Sequence, residues 1–143
     1  MPHIVGTALK PVKRMPAQKT LPKIGASDFT RDLDLSQDEL LALLNLTQQV
    51  KTSPARFSKA LAGRYISLLF EKPSLRTRMT FELAIKQLGG DAILNIGPVG
   101  EREPLKDVAR NLDRWTNAIV ARTFSQKTID DLAHWSSVPV STP

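Results

Sequence analysis

Arg64-Tyr65-Ile66-Ser67-Leu68-Leu69-Phe70-Glu71-Lys72-Pro73-Ser74-Leu75-Arg76-Thr77-Arg78 is the stretch from which the fold can be read. Its first half, Arg64–Phe70, is a nearly unbroken apolar run, the pattern of a strand buried on both faces in a parallel sheet. After the Pro73-Ser74 break the period changes. Phe81, Ala84, Ile85 and Leu88 recur at i, i+3, i+4 and i+7, which predicts a helix closed by Gly89-Gly90 as its C-cap. A buried strand that runs straight into a helix is the repeating unit of parallel sheets.

The same rhythm extends in both directions. Upstream, Ser36 and Glu39 form a capping box and Leu35 and Leu40 a hydrophobic staple. They predict a helix to about Lys51, whose apolar side includes Leu40, Leu43, Leu44 and Val50. Downstream, Ala92–Ile96 reads as a second strand. Leu105, Val108, Leu112 and Trp115 mark a third helix, and Ala118–Val120 a third strand. Ser125 or Thr128 caps a fourth helix through Ile129, Leu132, Ala133 and Trp135, and Val138–Val140 reads as a fourth strand. The expected fold is α/β: a parallel four-stranded sheet flanked by helices in three layers, α/β/α, over residues 28–143.

Charge is distributed unevenly. All fourteen acidic residues lie at or after Asp28, whereas Lys10, Lys13, Arg14, Lys19 and Lys23 precede it; the formal +6 therefore divides into +5 before Asp28 and 15 − 14 = +1 after it. With Pro2, Pro11, Pro16 and Pro22 and little apolar periodicity, residues 1–27 read as a disordered basic tail. The tail lacks the apolar core of a secretory signal and the Arg- and Ser-rich character of a transit peptide. No aromatic residue is interleaved with its lysines to stack on bases, and the rest of the chain is nearly neutral, which argues against a nucleic-acid partner. No apolar run approaches the ~20 residues of a membrane span. Without cysteine, neither disulfides nor thiolate chemistry is available.

The chemistry concentrates in Glu71–Arg78. A strand-to-helix turn at the carboxyl end of a parallel strand is where such sheets bind ligands, and a helix N-terminus offers free N–H groups to an anion. Ser74 and Thr77 add hydroxyls, and Arg76 and Arg78 add guanidinium donors suited to phosphate oxygens. The plainer alternative is that Ser74 only caps the helix while the arginines pair with Glu71 and Glu82. Residue types alone leave both open and reach no further than a phosphate or carboxylate site. There is no G-x-x-x-x-G-K-[ST] run and no dinucleotide fingerprint.

Phe70-Glu71-Lys72-Pro73-Ser74-Leu75-Arg76-Thr77-Arg78, followed by Phe81-Glu82 and Gln87-Leu88-Gly89-Gly90, resembles the carbamoyl-phosphate loop and first helix of the aspartate/ornithine carbamoyltransferases. Ala121-Arg122-Thr123-Phe124 and Val138-Pro139-Val140 match later segments, so the similarity covers roughly residues 29–140. The resemblance implies a cytoplasmic transferase of arginine biosynthesis without metal or cofactor. It would act on carbamoyl phosphate and an amino acid and assemble as a homotrimer. Ser74, Leu75 (through its N–H), Arg76, Thr77 and Arg122 would bind carbamoyl phosphate, and Arg76, Thr77 and Arg122 would be catalytic. Arg78 would instead pair with nearby carboxylates.

Two departures, Leu75 and Pro98, and one match, Lys72, bear on the reading. Leu75 stands where the family usually has threonine or glycine, a substitution that members acting on acylated ornithine resemble. Pro98 stands where ornithine-type members often carry a glutamine that reaches the neighbouring subunit. Lys72 resembles the ornithine type, aspartate types having Phe-Phe-Glu before the corresponding turn. The family's His-Pro-x-Gln segment and amino-acid-binding domain are not in this sequence; His134 lies in a helical pattern beside Trp135 and is not that histidine. The expectation is therefore the carbamoyl-phosphate-binding half of an ornithine carbamoyltransferase, incomplete alone. The alternatives are an aspartate or acylated-ornithine type, or a non-catalytic anion-binding module.

Overall fold

The computed structural model describes residues 21–143. The expected tail over 1–27 therefore lies, for its first twenty residues, outside the described residues. The N–H of Gly25 donates to the Glu39 carboxylate, and Phe29 pairs in parallel with Ser141.

The elements are α1 (Gln37–Thr52), β1 (Tyr65–Phe70), α2 (Leu75–Gln87), β2 (Asp91–Ile96), α3 (Leu105–Trp115), β3 (Ala118–Arg122), α4 (Gln126–Trp135) and β4 (Val140–Ser141), with 3-10 turns at Asp32–Asp34 and Pro54–Phe57. All strand pairings are parallel, in the order β2-β1-β3-β4. Ser36 caps α1 through the expected box with Glu39. The end of α2 is a Schellman motif, in which Gly90 N–H donates to Ile85 C=O and Gly89 N–H to Lys86 C=O, with Gly89 at φ +86°.

Alternation along β1 sends its side chains to two cores. Ile66, Leu68 and Phe70 meet Ile85 and Phe81 of α2 on one face, while Leu69 meets Ala109 of α3 and Ile129 and Leu132 of α4 on the other, together with Ile119, Ala121 and Val140. The three layers are thus helix, sheet, helix. The faces differ in cover, because α3 and α4 leave the end of the sheet at β2 open: Ile93 is 50% and Tyr65 49% exposed. The apolar side expected for α1 covers no core. None of its residues is buried, and Leu40, Leu41 and Leu44 are exposed.

The fourth strand needs correction, since it spans Val140–Ser141 rather than Val138–Val140. Pro139 interrupts the run, and Asp113 captures the residues before it. One carboxylate oxygen of Asp113 accepts from the Ser136 hydroxyl (2.6 Å), and the other accepts the N–H of Ser137 (2.8 Å). Burial pushes the Asp113 carboxyl up, but hydrogen bonds from Ser136, Ser137 and Val138 outweigh it and hold the group below the ordinary aspartate range. A carboxylate with a depressed folded pKa contributes stability that is present above its unfolded pKa of about 3.9 and is lost as pH falls through the folded value. Asp113→Asn is therefore expected to destabilise the domain by about 1 kcal/mol at pH 7. That difference should shrink below about pH 4 in denaturant melts, where wild type also loses the charge. A penalty constant from pH 7 to 3 would contradict it.

Candidate functional site

The strand order places a topological switch point between β1 and β3. The chain leaves β1 through α2 toward β2 on one side, then crosses through α3 to β3 on the other. At such a point the connections diverge and leave a crevice beyond the carboxyl ends of the strands. Phe70 ends β1 in register with Arg122, which ends β3. The turn into α2 and the Arg122 side chain are thereby brought together.

A cleft of about 620 Å³ opens there, lined by Pro73, Ser74, Leu75, Arg76, Thr77, Thr80, Phe81 and Arg122. All five residues expected to bind the ligand are among them. The Arg122 guanidinium donates to the Ser74 hydroxyl (2.5 Å) and the Thr77 hydroxyl (3.1 Å). Ser74 occupies the N-cap position of α2 but makes no side-chain cap bond, so the first N–H groups of α2 receive none from it. The alternative in which Ser74 only caps the helix is thus corrected: its hydroxyl faces Arg122.

The arginines are not consumed by ion pairs. Among the described residues the salt bridges join Arg31 to Asp130, Lys86 to Glu82 and Lys127 to Asp131. None involves Arg76, Arg78 or Arg122, so the carboxylate pairing expected for Arg78 is not formed, and Glu82 is taken by Lys86. Glu71 pairs with no cation among the described residues. Its carboxylate oxygens accept the N–H groups of Val99 and Phe124, each at 3.0 Å. Among the described residues the cleft therefore keeps two guanidinium groups, the Ser74 and Thr77 hydroxyls and a helix N-terminus without a neutralising acid, an arrangement complementary to a phosphate-sized anion.

Sequence reasoning did not identify Thr80 and Phe81 as lining residues. Thr80 sits one turn beyond Arg76 and donates to its carbonyl (2.8 Å), so helical spacing from Arg76 was the available signal. His134 stacks edge-on against Trp135, with ring centroids 4.6 Å apart, and does not line this cleft. No group of three or more His, Asp or Glu residues among the described residues could hold a metal ion. No helix there is long and apolar enough to cross a membrane.

The aspartate/ornithine carbamoyltransferase family, carbamoyl-P binding domain, matches residues 27–142. An ornithine carbamoyltransferase from Vibrio sp. (strain 2693) is 51% identical over 110 residues, covering 75% of this chain and 36% of the relative. The ornithine carbamoyltransferase structure from Pyrococcus furiosus superposes with a TM-score of 0.78 at 31% identity, over 82% of this chain and 39% of that one. An N-acetyl-L-ornithine transcarbamylase solved with carbamyl phosphate and N-succinyl-L-norvaline gives 0.70 at 31% identity, over 80% and 42%. The chain thus spans about two fifths of the length of these relatives. With a parallel sheet whose switch point carries the Ser74–Arg78 turn and Arg122, the chain belongs to the aspartate/ornithine carbamoyltransferase family, in the part that forms its carbamoyl-phosphate-binding domain.

Proposed function

We propose that this chain is the carbamoyl-phosphate-binding half of an ornithine carbamoyltransferase, which transfers the carbamoyl group to the side-chain amine of ornithine to give citrulline and phosphate. The observation that carries the reading is the unpaired cationic cleft at the switch point, in which Arg122 meets Ser74 and Thr77. The Ser74 and Thr77 hydroxyls, the Arg76 guanidinium and the N–H of Leu75 bind the phosphate. Arg122 and Thr77 donate to the carbamoyl oxygen. The amine nitrogen attacks the carbamoyl carbon to form a tetrahedral intermediate. Its C–O bond to phosphate then breaks, the electron pair leaves on phosphate, and the nitrogen loses a proton. Arg122 stabilises charge on the carbamoyl oxygen and Arg76 charge on the leaving group; positioning and preorganised electrostatics of this kind are the largest contributions such a site can supply.

Ornithine is preferred over aspartate because Phe70-Glu71-Lys72 resembles the ornithine type of the motif, and because relatives at 51% identity carry the ornithine name. A second reading, an acylated ornithine, is favoured by Leu75, which is 67% exposed and lines the cleft with an apolar side chain. A trimeric assembly fits the exposed apolar residues of α1 and β2, which further protein would cover; a cytoplasmic place in arginine biosynthesis follows from the ornithine reading alone.

Calorimetric titration with a phosphonate analogue of carbamoyl phosphate tests the anion site. Saturable one-to-one binding by the folded chain is expected, and a folded chain that takes up no analogue would defeat the reading. Supplying the amino-acid-binding half of a relative and comparing ornithine, N-acetylornithine and aspartate as acceptors then decides the amine.

A further inference from the structure

We infer that Glu71 is a positioning residue for this site: its carboxylate fixes the loops that follow β2 and β3 against the end of β1, where the chain turns toward α2, and so sets where the Arg122 guanidinium stands. The inference rests on the carbamoyl-phosphate reading given above. Glu71 is the first residue after β1 and is half-buried. One carboxylate oxygen accepts the N–H of Val99 in the loop after β2, and the other accepts the N–H of Phe124, two residues beyond Arg122, both at 3.0 Å. The Glu71 N–H donates to the Arg122 carbonyl at 2.9 Å, which continues the β1–β3 ladder one residue past the strands. Arg122 is therefore held through its own carbonyl and through the N–H of Phe124, and its side chain is delivered to Ser74 and Thr77.

The choice of a carboxylate has a physical reason. Two main-chain N–H groups converging from different loops need two acceptor atoms on one side chain, and an ionised glutamate offers both. Glutamine would present an amide N–H₂ to one of these donors. A glutamate beside two arginines is also an obvious ion-pair partner, and such a pair would cancel the charge a phosphate needs. Committing both oxygens to main-chain donors leaves Arg76 and Arg122 free for an anion. Val99 also packs against the core formed by α3 and α4, so the same carboxylate ties the Gly97–Pro104 loop to the cleft.

The test uses the whole chain and compares wild type, Glu71→Gln and Glu71→Asp, the aspartate being one methylene too short to reach both loops. Each is titrated with the phosphonate analogue, and amide and arginine side-chain NMR signals are recorded, that of Arg122 being assigned by its loss in Arg122→Ala. Both variants are expected to bind about tenfold more weakly. The Val99 and Phe124 amides should lose exchange protection and the Arg122 side-chain signal should shift or broaden, while the core amides of Ile85 and Leu132 stay protected. A purely structural tie would lower stability without moving the Arg122 signal. Affinity within about twofold of wild type, or an unchanged Arg122 signal in a folded variant, overturns the inference. If wild type itself takes up no analogue, the carbamoyl-phosphate reading fails, and the Arg122 signal alone then decides whether Glu71 positions it.

Discussion

Replacing Arg76 by alanine is expected to weaken binding of the phosphonate analogue by about a hundredfold while leaving the melting transition within a few degrees of wild type. Arg76 is exposed, lines the cleft, and makes no ion pair among the described residues, so its removal leaves no buried carboxylate without a partner. Hydrogen bonds from a charged group are worth about 1.5–3 kcal/mol each, and a guanidinium can supply two to one phosphate, so a loss of about 3 kcal/mol is reasonable even after solvent screening. Arg78→Ala is the control. Arg78 carries the same charge two residues away but does not line the cleft, so its loss should change affinity by no more than about threefold. Equal effects of the two substitutions would mean that binding is a diffuse electrostatic attraction and that Arg76 has no specific role.

That contrast between the two arginines also marks how far the sequence could be read. Both lie in one motif with the same side chain, and two residues apart on α2 they project to opposite sides of the helix; the resemblance named Arg76 as the binding one, and the strand order supplies the reason, by placing the switch point on its side. The elements themselves were legible where a local signal existed. The Ser36–Glu39 box located the start of α1, and Gly89-Gly90 the end of α2. The apolar run in β1 foretold burial on both faces, and Ile66–Phe70 are all buried. Val138–Val140 misled because β-branched residues suggest a strand, whereas side-chain capture by Asp113, 24 residues before Ser137, shortened it.

Glu71 was illegible for a related reason. It reads as a potential ion-pair partner of the neighbouring arginines, but both its contacts are main-chain N–H groups 28 and 53 residues away. Main-chain donors leave no trace in residue identity. Arg122 was legible only through family resemblance, since a lone arginine ending a strand has no periodicity or partner motif. The Phe70–Arg122 register supplies what the sequence lacked, a geometric reason for that arginine to meet a turn 48 residues before it.

The largest effect on stability is expected at Gly89. Its φ of +86° is a region that an L-residue with a Cβ enters at a cost of about 1–2 kcal/mol. In addition, a Cβ there would stand 2.6 Å from the Ser58 carbonyl oxygen and 3.3 Å from Lys59 Cα, and neither main-chain atom can swing aside as a side-chain tip would. Relief would require moving the Ser58–Leu61 segment, where Leu61 packs against the core of Ile66, Leu68, Phe70 and Ile85 and donates its N–H to the Leu88 carbonyl at the end of α2. Gly89→Ala should therefore destabilise by about 3 kcal/mol or more. Gly63 separates the two causes, having a φ of +71° with nothing within 4 Å of the added Cβ. Gly63→Ala should then cost only the backbone part, about 1 kcal/mol. Denaturant melts of the two variants measured together give the steric contribution as their difference. Equal losses would mean that the contact between the α2 terminus and the Ser58 segment yields freely, and that α2, whose N-terminal turn carries Arg76 and Thr77, is not held firmly at its other end.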